Sequence, residues 1–243
     1  MRLKLTIQYD GTAFHGWQEQ GELPTVQSLV TAAVATIEGA RRSVTGAGRT
    51  DAGVHALGQV AHVDVEKTLD PSVWIRALNA YLPTDIRIAG VEVAPFGFHA
   101  RRNATNKVYH YRVWTGPALS PFVRHFVTHV PRDLDLDAMR AASACLRGRH
   151  DFEAFTVADR ETKTTVRDLR RLDVDRKGDE LVVAAEANGF LRAMVRTLAG
   201  TLLAVGDGRL TVESVALALA EKRREAAGPT APARGLTLVR VDY

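Results

Sequence analysis

The order of strand and helix patterns along the chain is the feature that most restricts its fold. Alternating polar and apolar residues predict strands near residues 3–10, 42–47, 57–65 and 85–94. Thr25 can cap a helix between the first two strands, and Pro71 can begin a second helix that buries Trp74, Leu78 and Tyr81. The resulting order of strand, helix, strand, strand, helix and strand predicts a ferredoxin-like arrangement.

The rest of the chain follows a similar order. Strand patterns fall near residues 107–115, 164–175, 180–187 and 236–242, and helix patterns fall at residues 135–147, 190–205 and 211–224. The boundary is expected in the stretch 96–106, which is rich in Gly, His and Arg. We therefore predict an α+β fold with two ferredoxin-like halves, residues 1–103 and 104–243, each with a mainly antiparallel sheet.

Composition and the chain's first residues bear on where it works. The 46% hydrophobic and 25% charged residues are those of an ordinary globular protein. Cys145 has no second cysteine to pair with, and its apolar helical surroundings predict a small buried hydrophobe in a reducing compartment. No secretory signal opens the sequence, and Arg192 and Arg196 interrupt the longest apolar helix candidate. These features predict a cytoplasmic protein with no membrane span.

The positive charge is concentrated in one segment. The chain carries a formal net charge of +4, which alone is a weak indication of nucleic-acid binding. Residues 99–112 (HARRNATNKVYHYR) contain four Lys or Arg residues, two histidines, two tyrosines and no acid. Rings interleaved with cations suit RNA, but a solvated charged edge strand would have the same composition. A second basic run, residues 160–177, is diluted by acids.

Residues 46–56 (GAGRTDAGVHA) form the densest chemical pattern. A glycine-rich turn would explain the glycines but gives Arg49 no reason to precede Asp51 so closely. A phosphate-binding loop would end in Lys followed by Ser or Thr, which this segment does not. A dinucleotide fingerprint fails as well, because Asp51 stands where its third glycine should be.

Two further interpretations of this segment involve its side chains. Asp51, His55, His62 and Asp64 could be metal ligands, but they span a turn and a strand rather than one helix with a fixed His spacing. Alternatively, Asp51 is a catalytic carboxylate that a glycine-lined loop presents to a bulky substrate. We expect the second arrangement and no metal.

The segment GRTDAGVHA resembles, without a gap or substitution, the catalytic motif of the TruA family of tRNA pseudouridine synthases. The resemblance covers nearly the whole chain. Further matching residues are Tyr9, Asp10, Gly11, Gly16, Trp17, Gln18, Val26, Gln27, Asn79, Leu82, Pro83, Asp85, Phe98, His99, Ala100, Arg101, Tyr109, Tyr111, His150, Asp151, Phe152, Phe155, Asn188, Phe190, Met194, Val195, Arg196, Gly235 and Leu236. One departure is Ala193, which stands where a polar residue such as His or Asn is common in the family.

The resemblance implies the pseudouridine synthase fold with a central catalytic cleft, and an isomerase that converts uridine to pseudouridine. It implies uridines at tRNA positions 38, 39 and 40 in the anticodon arm, and a homodimer that binds RNA. The reaction breaks the bond from ribose C1′ to uracil N1 and joins C1′ to C5. Since atoms are conserved and no electron or phosphate is exchanged, no cofactor or metal is expected.

Four residues receive roles. Asp51 is the essential carboxylate, either as nucleophile or as base. Arg49 lies two residues away, on the same face of an extended stretch, and is assigned to holding the flipped nucleotide. The resemblance implies that Tyr109 packs against the uracil and that Arg196 pairs with Asp51. Tyr111 faces the same way as Tyr109 in a regular strand, where core packing is the ordinary role of a tyrosine.

Two other classes of function remain open at this point. A non-catalytic RNA-binding protein on the same scaffold would bind tRNA without chemistry. A metal-dependent hydrolase built on Asp51, His55 and His62 would bind metal and be inhibited by chelators.

Overall fold

A computed structural model of the chain describes residues 1–157 and 163–243, so the start of the second basic run lies outside the described residues. The chain forms two compact units. Unit 1 comprises Met1–Thr105 and Leu238–Tyr243, and unit 2 comprises Asn106–Thr237. The carboxyl-terminal residues therefore belong with the amino-terminal ones.

The predicted elements occur in the predicted order, and two short strands that were not predicted, at Thr128–His129 and Gly148–Asp151, are added in the second part of the chain. The first part of the chain contains β1 (Arg2–Tyr9), α1 (Val26–Glu38), β2 (Thr45–Gly46), β3 (His55–Asp64), α2 (Pro71–Tyr81) and β4 (Ile86–Ala94). Then come β5 (Asn106–Trp114), β6 (Thr128–His129), α3 (Leu136–Leu146), β7 (Gly148–Asp151), β8 (Val166–Lys177), β9 (Glu180–Ala187), α4 (Met194–Gly206), α5 (Val212–Glu221) and β10 (Leu236–Asp242).

Local signals in the sequence set the ends of the helices of unit 1. The Thr25 side chain accepts a hydrogen bond from the Ser28 N–H, and the Ser28 hydroxyl accepts one from the Thr25 N–H, which forms a capping box at the start of α1. Gly39 ends that helix in the left-handed conformation. Asp70 caps α2, and Pro71 occupies its first turn. These helix starts confirm the sequence-based assignment.

The burial of α2 differs from the prediction at one residue. Trp74 and Leu78 are fully buried as expected, but Tyr81 is 60% exposed. A stripe that steps by four residues from Leu78 continues to Leu82, which is 7% exposed, and not to Tyr81. The prediction that Tyr81 is buried is therefore wrong.

The sheet of unit 1 is antiparallel and has the strand order β4, β1, β3, with β2 and β10 also neighbours of β3. On β1, Leu3, Leu5 and Ile7 are fully buried, while Arg2, Lys4 and Thr6 alternate with them toward the other face. The order β4, β1, β3, β2 is that of a ferredoxin-like half. The predicted strand at 42–47 is short, because only Thr45 and Gly46 pair with β3.

The sheet of unit 2 has the order β5, β9, β8, β7, with antiparallel pairing throughout, and β6 adds a short parallel pair to β5. The α+β class with mainly antiparallel strands is thus confirmed. Helix α3 buries Met139, Ala142 and Leu146, and Cys145 lies beside this stripe and is exposed. The expectation of a buried cysteine is wrong. None of the helices in the described ranges is long and apolar enough to cross a membrane.

Candidate active site

Asp51 lies at the start of a tight turn that joins β2 to β3. The Val54 N–H donates to the Asp51 carbonyl oxygen over 3.1 Å, which closes a β-turn with Ala52 and Gly53 at its centre. Gly53 has φ +77°, a backbone conformation that glycine adopts without strain. Asp51 is half-buried and Ala52 is exposed. The sequence Asp-Ala-Gly-Val therefore forms a turn that leaves the carboxylate-bearing residue at the surface of unit 1.

The segment that follows β1 supports this turn from the side. The Trp17 N–H donates to the Thr50 carbonyl oxygen over 3.0 Å, and the Gly53 N–H donates to the Phe14 carbonyl oxygen over 3.2 Å. Trp17 is 1% exposed and Phe14 is 7% exposed. The matching motif around Gly16 and Trp17 is therefore a structural support for the Asp51 turn, a role that its residue types alone did not reveal.

Buried polar side chains support the turn from within unit 1. The Tyr9 hydroxyl and the Thr50 hydroxyl lie 2.9 Å apart, and both residues are buried. The Gln59 side-chain amide donates to the Gly48 carbonyl oxygen over 2.9 Å. Burial raises the pKa of Tyr9 to about 12, although its hydrogen bonds with Thr50 and Gln59 act in the opposite direction. Tyr9 therefore stays neutral near pH 7.

Arg49 is exposed and lies between two residues that are held in place. The Gly48 carbonyl oxygen before it accepts from Gln59, and the Thr50 carbonyl oxygen after it accepts from Trp17. A guanidinium on such a stretch can reach an anionic phosphate or stack on a base. The structure places Arg49 on the same loop as Asp51, as the sequence requires.

The histidines of the candidate metal set have structural partners. The His55 Nδ1 accepts from the Gly11 N–H over 3.0 Å, and His55 is 2% exposed. The His62 Nδ1 accepts from the Ala100 N–H over 3.2 Å, and burial lowers the pKa of His62. Within the described part of the chain, no three His, Cys, Asp or Glu residues come together as a metal site. His55 and His62 therefore act as hydrogen-bond acceptors for backbone amides.

The fourth member of that set, Asp64, forms an ion pair. Its two carboxylate oxygens accept from Arg2 over 2.7 and 2.6 Å. This hydrogen-bonded guanidinium lowers the pKa of Asp64. Asp64, the last residue of β3, is therefore the ion-pair partner of Arg2, the first residue of β1.

Tyr109 lies on β5 in unit 2, opposite Ala185 of β9. Its ring contacts the ring of Phe190 edge-on, with centroids 5.2 Å apart and an interplanar angle of 87°. Only 7% of Tyr109 is exposed. Phe190, one of the residues that match the family, thus fixes the orientation of the Tyr109 ring.

Tyr111, two residues further along β5, belongs to the core. It is fully buried, and its hydroxyl lies 2.6 Å from the Thr128 hydroxyl and donates to the Pro232 carbonyl oxygen over 2.9 Å. Burial raises the pKa of Tyr111 to about 12. The side chain of Tyr111 therefore ties β5 to two other segments of unit 2, which agrees with the ordinary core role of a strand tyrosine.

Arg196 lies in the first turn of α4. It is the only residue of that helix that is not buried. Its Nε donates to the Ala231 carbonyl oxygen over 2.8 Å, and the Ala231 N–H donates back to the Arg196 carbonyl oxygen over 3.1 Å. This reciprocal pair positions the base of the guanidinium against the segment that precedes β10. Arg196 is therefore half-buried and held on a helix by hydrogen bonds to Ala231.

Ala193 precedes α4 in a conformation that its side chain disfavours. Its φ is +56° and its ψ is +5°, and no side chain caps the helix. The Met194 N–H donates to the Leu191 carbonyl oxygen over 3.2 Å, so Ala193 is the third residue of a β-turn. Asn tolerates this left-handed conformation better than Ala. Asparagine would therefore fit the backbone at this position better than the alanine that stands there.

The basic segment 99–112 divides into two parts. Arg101 and Arg102 are exposed in the turn before β5. Arg112, by contrast, donates to Glu180 over 2.6 and 3.0 Å. The exposed pair is therefore the better source of positive charge for an anionic partner, since Glu180 offsets the charge of Arg112.

Comparison with known proteins identifies the family. The family model described as tRNA pseudouridine synthase matches residues 5–101 and 142–243. A tRNA pseudouridine synthase A of Bradyrhizobium diazoefficiens is 46% identical over 243 residues, covering 100% of this chain and 99% of the relative. Proteins of the same name from Nitrobacter hamburgensis and Shouchella clausii are 47% and 44% identical, covering 100% of this chain and 99% and 93% of the relatives.

A solved structure of a Cbf5-Nop10-Gar1 complex also matches. It covers 97% of this chain and 48% of that chain, at 11% identity and a TM-score of 0.38, which is too low to support a conclusion about the fold. The family model and the relatives that cover the whole chain confirm the resemblance inferred from the sequence motifs. The chain belongs to the tRNA pseudouridine synthase family.

Proposed function

We propose that this chain converts uridine to pseudouridine at positions 38, 39 and 40 of tRNA, with Asp51 as the essential carboxylate. Isomerase activity on tRNA follows from the family. The anticodon-arm positions come from the resemblance of the motifs. The supporting observation is that Asp51 is half-buried in a turn whose backbone accepts hydrogen bonds from the Trp17 and Val54 N–H groups and donates one to the Phe14 carbonyl oxygen.

The reaction needs an ionised carboxylate close to the sugar. Asp51 either adds to the nucleoside or removes a sugar proton while the bond from C1′ to N1 breaks. The uracil then turns over and joins C1′ through C5, and the C5 proton leaves to solvent. A base seated over Asp51 would remove water from the carboxylate, which disfavours its charged form. A nearby cation offsets that effect.

The proposed cation is Arg196, which pairs with Asp51 in the working enzyme. Two features of Arg196 support this role. Its Nε is oriented by the Ala231 carbonyl oxygen, and Arg196 is the one residue of α4 that is not buried. Planar guanidinium groups pair with carboxylates in a defined geometry.

Arg49 and Tyr109 are proposed to hold the substrate. Taking the uridine out of its stack costs a few kcal/mol, which contacts to the flipped nucleotide must offset. The exposed Arg49 supplies a guanidinium for phosphate contact or stacking. Tyr109 supplies a ring of fixed orientation to pack against the uracil.

The proposed partner is the anticodon arm of tRNA, bound by a homodimer in the cytoplasm without a cofactor or metal. The exposed Arg101 and Arg102 provide charge for phosphate contacts. Since phosphate contacts release counterions, binding of tRNA should weaken as salt rises.

The test measures tritium release from tRNA labelled at uracil C5, in the presence of EDTA. Wild type should release tritium at the anticodon arm, and Asp51→Asn and Asp51→Ala should release none. Asp70→Asn is the matched control. Asp70 is exposed and caps α2 through its side chain, a role that asparagine also performs, so release should be unchanged.

The outcomes separate the classes of function. Transcripts that carry uridine at only one of positions 38, 39 and 40 test the position. An RNA-binding protein without catalysis would bind tRNA and release no tritium. A metal-dependent hydrolase would lose activity in EDTA. The proposal would be overturned if the wild type released no tritium, or if Asp51→Asn released as much tritium as the wild type.

A further inference from the structure

A group of buried polar side chains lies directly behind the Asp51 turn, and neither the family motif nor the proposed reaction gives it a role. Tyr9 ends β1, Gln59 lies in β3, and Thr50 immediately precedes Asp51. Their exposed fractions are 4%, 0% and 7%. We call these three residues the Tyr9 cluster. Burying polar side chains is unfavourable unless they are hydrogen-bonded, so their partners indicate what they do.

The side chains of the Tyr9 cluster make hydrogen bonds to the loop that carries Asp51 and to the strand beside it. The Tyr9 hydroxyl lies 2.9 Å from the Thr50 hydroxyl. The Gln59 amide nitrogen donates to the Gly48 carbonyl oxygen over 2.9 Å, and its amide oxygen accepts from the Val60 N–H over 3.2 Å. The cluster therefore holds the loop both at Gly48 and at Thr50, on the two sides of Arg49.

A register shift in the sheet lies beside Tyr9. Ile7 lies opposite Gln59 in the pairing of β1 with β3, but Tyr9 lies opposite Ala56, so β3 has one residue more than β1 between these two pairs, while the buried positions of β1 keep their alternation as far as Tyr9. An extra residue bends the strand that carries it, which here is the strand that follows the Asp51 turn, and such irregularities are common beside active sites. Here the shift coincides with the residue whose hydroxyl meets Thr50.

The backbone on both sides of Asp51 is fixed by further bonds. The Trp17 N–H donates to the Thr50 carbonyl oxygen, which orients the peptide group before Asp51. The Val54 N–H donates to the Asp51 carbonyl oxygen, which orients the peptide group after it. With the Thr50 side chain held by Tyr9 as well, the starting point of the Asp51 side chain is fixed from three directions. A catalytic group held in this way needs little reorganisation when substrate binds.

We propose that Tyr9, Thr50 and Gln59 are positioning residues, which keep the Asp51 carboxylate in its reactive place without touching the substrate. This inference rests on the proposed role of Asp51. Because burial raises the pKa of Tyr9 to about 12, the cluster keeps its protons throughout the range in which tRNA is assayed. Loss of the cluster should therefore lower kcat equally at every pH of the assay and leave the shape of the pH profile unchanged.

The experiment removes the hydrogen bond between Tyr9 and Thr50 from either end. Tyr9→Phe and Thr50→Val should each lower kcat for tritium release by about 10- to 100-fold, because small displacements of a reacting group cost rate on this scale. KM and the affinity for tRNA should stay within about threefold of wild type, since no substrate contact is removed. Thr50→Ser keeps the hydroxyl and should restore kcat.

Two controls separate positioning from general stability. Ser143→Ala removes a fully buried hydroxyl that donates to the Leu172 and Arg140 carbonyl oxygens in unit 2. This variant therefore loses buried hydrogen bonding comparable to that of the Tyr9 cluster, but away from the Asp51 loop. It should lower the urea midpoint but not kcat. The double variant Tyr9→Phe/Thr50→Val should have a kcat no lower than Tyr9→Phe alone, because Tyr9→Phe already removes the bond that Thr50→Val removes.

Each result decides the inference. Since Tyr9→Phe and Thr50→Val both remove the hydrogen bond between Tyr9 and Thr50, either variant that unfolds cooperatively in urea is sufficient for the test. Wild-type kcat in that variant, while Asp51→Asn is inactive, would overturn the inference and leave the proposed function intact. An equal loss of kcat in Ser143→Ala would also overturn it. A wild-type enzyme without tritium release would instead refute the proposed function.

Discussion

Replacing Gly16 with alanine should displace the Asp51 loop, because the backbone of that loop fills the space where a side chain would go. A Cβ at Gly16 would lie 2.5 Å from the Thr50 carbonyl oxygen and 3.1 Å from the Asp51 carbonyl carbon. Both are backbone atoms, which cannot rotate away as a flexible side chain could. Gly16 also has φ +86°, which disfavours alanine irrespective of space.

The magnitude has two contributions. The left-handed conformation costs a non-glycine residue about 1–2 kcal/mol. Forcing an extra carbon into a packed site costs about 1–3 kcal/mol more. The free energy of unfolding should therefore fall by about 2–5 kcal/mol. To relieve the contact to the 3.0 Å minimum that real Cβ atoms show, the Thr50 carbonyl must move by about 0.5 Å. Since a displacement of about 1 Å can cost 100-fold in rate, kcat should fall by roughly tenfold.

Gly39 provides the matched control in the same unit. It ends α1 with φ +81°, and a Cβ there would meet nothing within 4 Å. Gly39→Ala therefore adds the conformational strain without the collision. It should cost about 1–2 kcal/mol of stability and leave kcat unchanged.

Urea unfolding followed by circular dichroism gives the stability of both variants, and tritium release gives kcat. Gly16→Ala should be less stable than Gly39→Ala by about 1–3 kcal/mol, the collision alone. If the two variants had the same stability and both kept wild-type kcat, the packing of Gly16 against the loop would not position Asp51, and the reasoning would be refuted.

Two further predictions concern stability alone. Ala193→Asn should raise the free energy of unfolding by roughly 1 kcal/mol, because asparagine tolerates the left-handed conformation at the third position of the turn; an unchanged urea midpoint would contradict this. Burial lowers the pKa of His62, so as the pH falls the unfolded chain takes up a proton on this histidine before the folded chain does. The contribution of neutral His62 to the free energy of unfolding is therefore complete above a pH of about 6.5 and decreases as the pH falls toward the lowered pKa. His62→Asn keeps an acceptor for the Ala100 N–H but cannot be protonated, so its urea midpoint should fall less steeply with pH than that of wild type.

Much of the fold could be predicted because its signals are local. Caps at Thr25 and Asp70 define helix starts within a few residues of sequence, and the period of the apolar residues separates strands from helices. Tyr81 and Cys145 are exceptions, because both were predicted to be buried and both are exposed. In both cases the helix was predicted correctly but the buried face of the helix was not, since which face is buried depends on what the helix packs against.

In the candidate site, Asp51 could be predicted from the sequence but the residues that support its loop could not. Asp51 stood out because a carboxylate within a glycine-rich segment has few ordinary explanations. The supports of its loop did not stand out, because Tyr9 and Thr50 are 41 residues apart and each alone resembles a common strand or loop residue. In the same way, the ion pair that offsets the charge of Arg112 joins it to Glu180, which is 68 residues away.

The sequence by itself determined the order of strands and helices, the turn chemistry around Asp51 and the membership of a family, because each depends on residue types at short spacing or in a fixed order. Tertiary structure alone decided which face of each helix is buried and that Gly16 must lack a side chain. It also decided that Tyr9 and Gln59 support the loop of Asp51. These properties arise from contacts between segments that are distant in the chain, and periodicity carries no information about such partners.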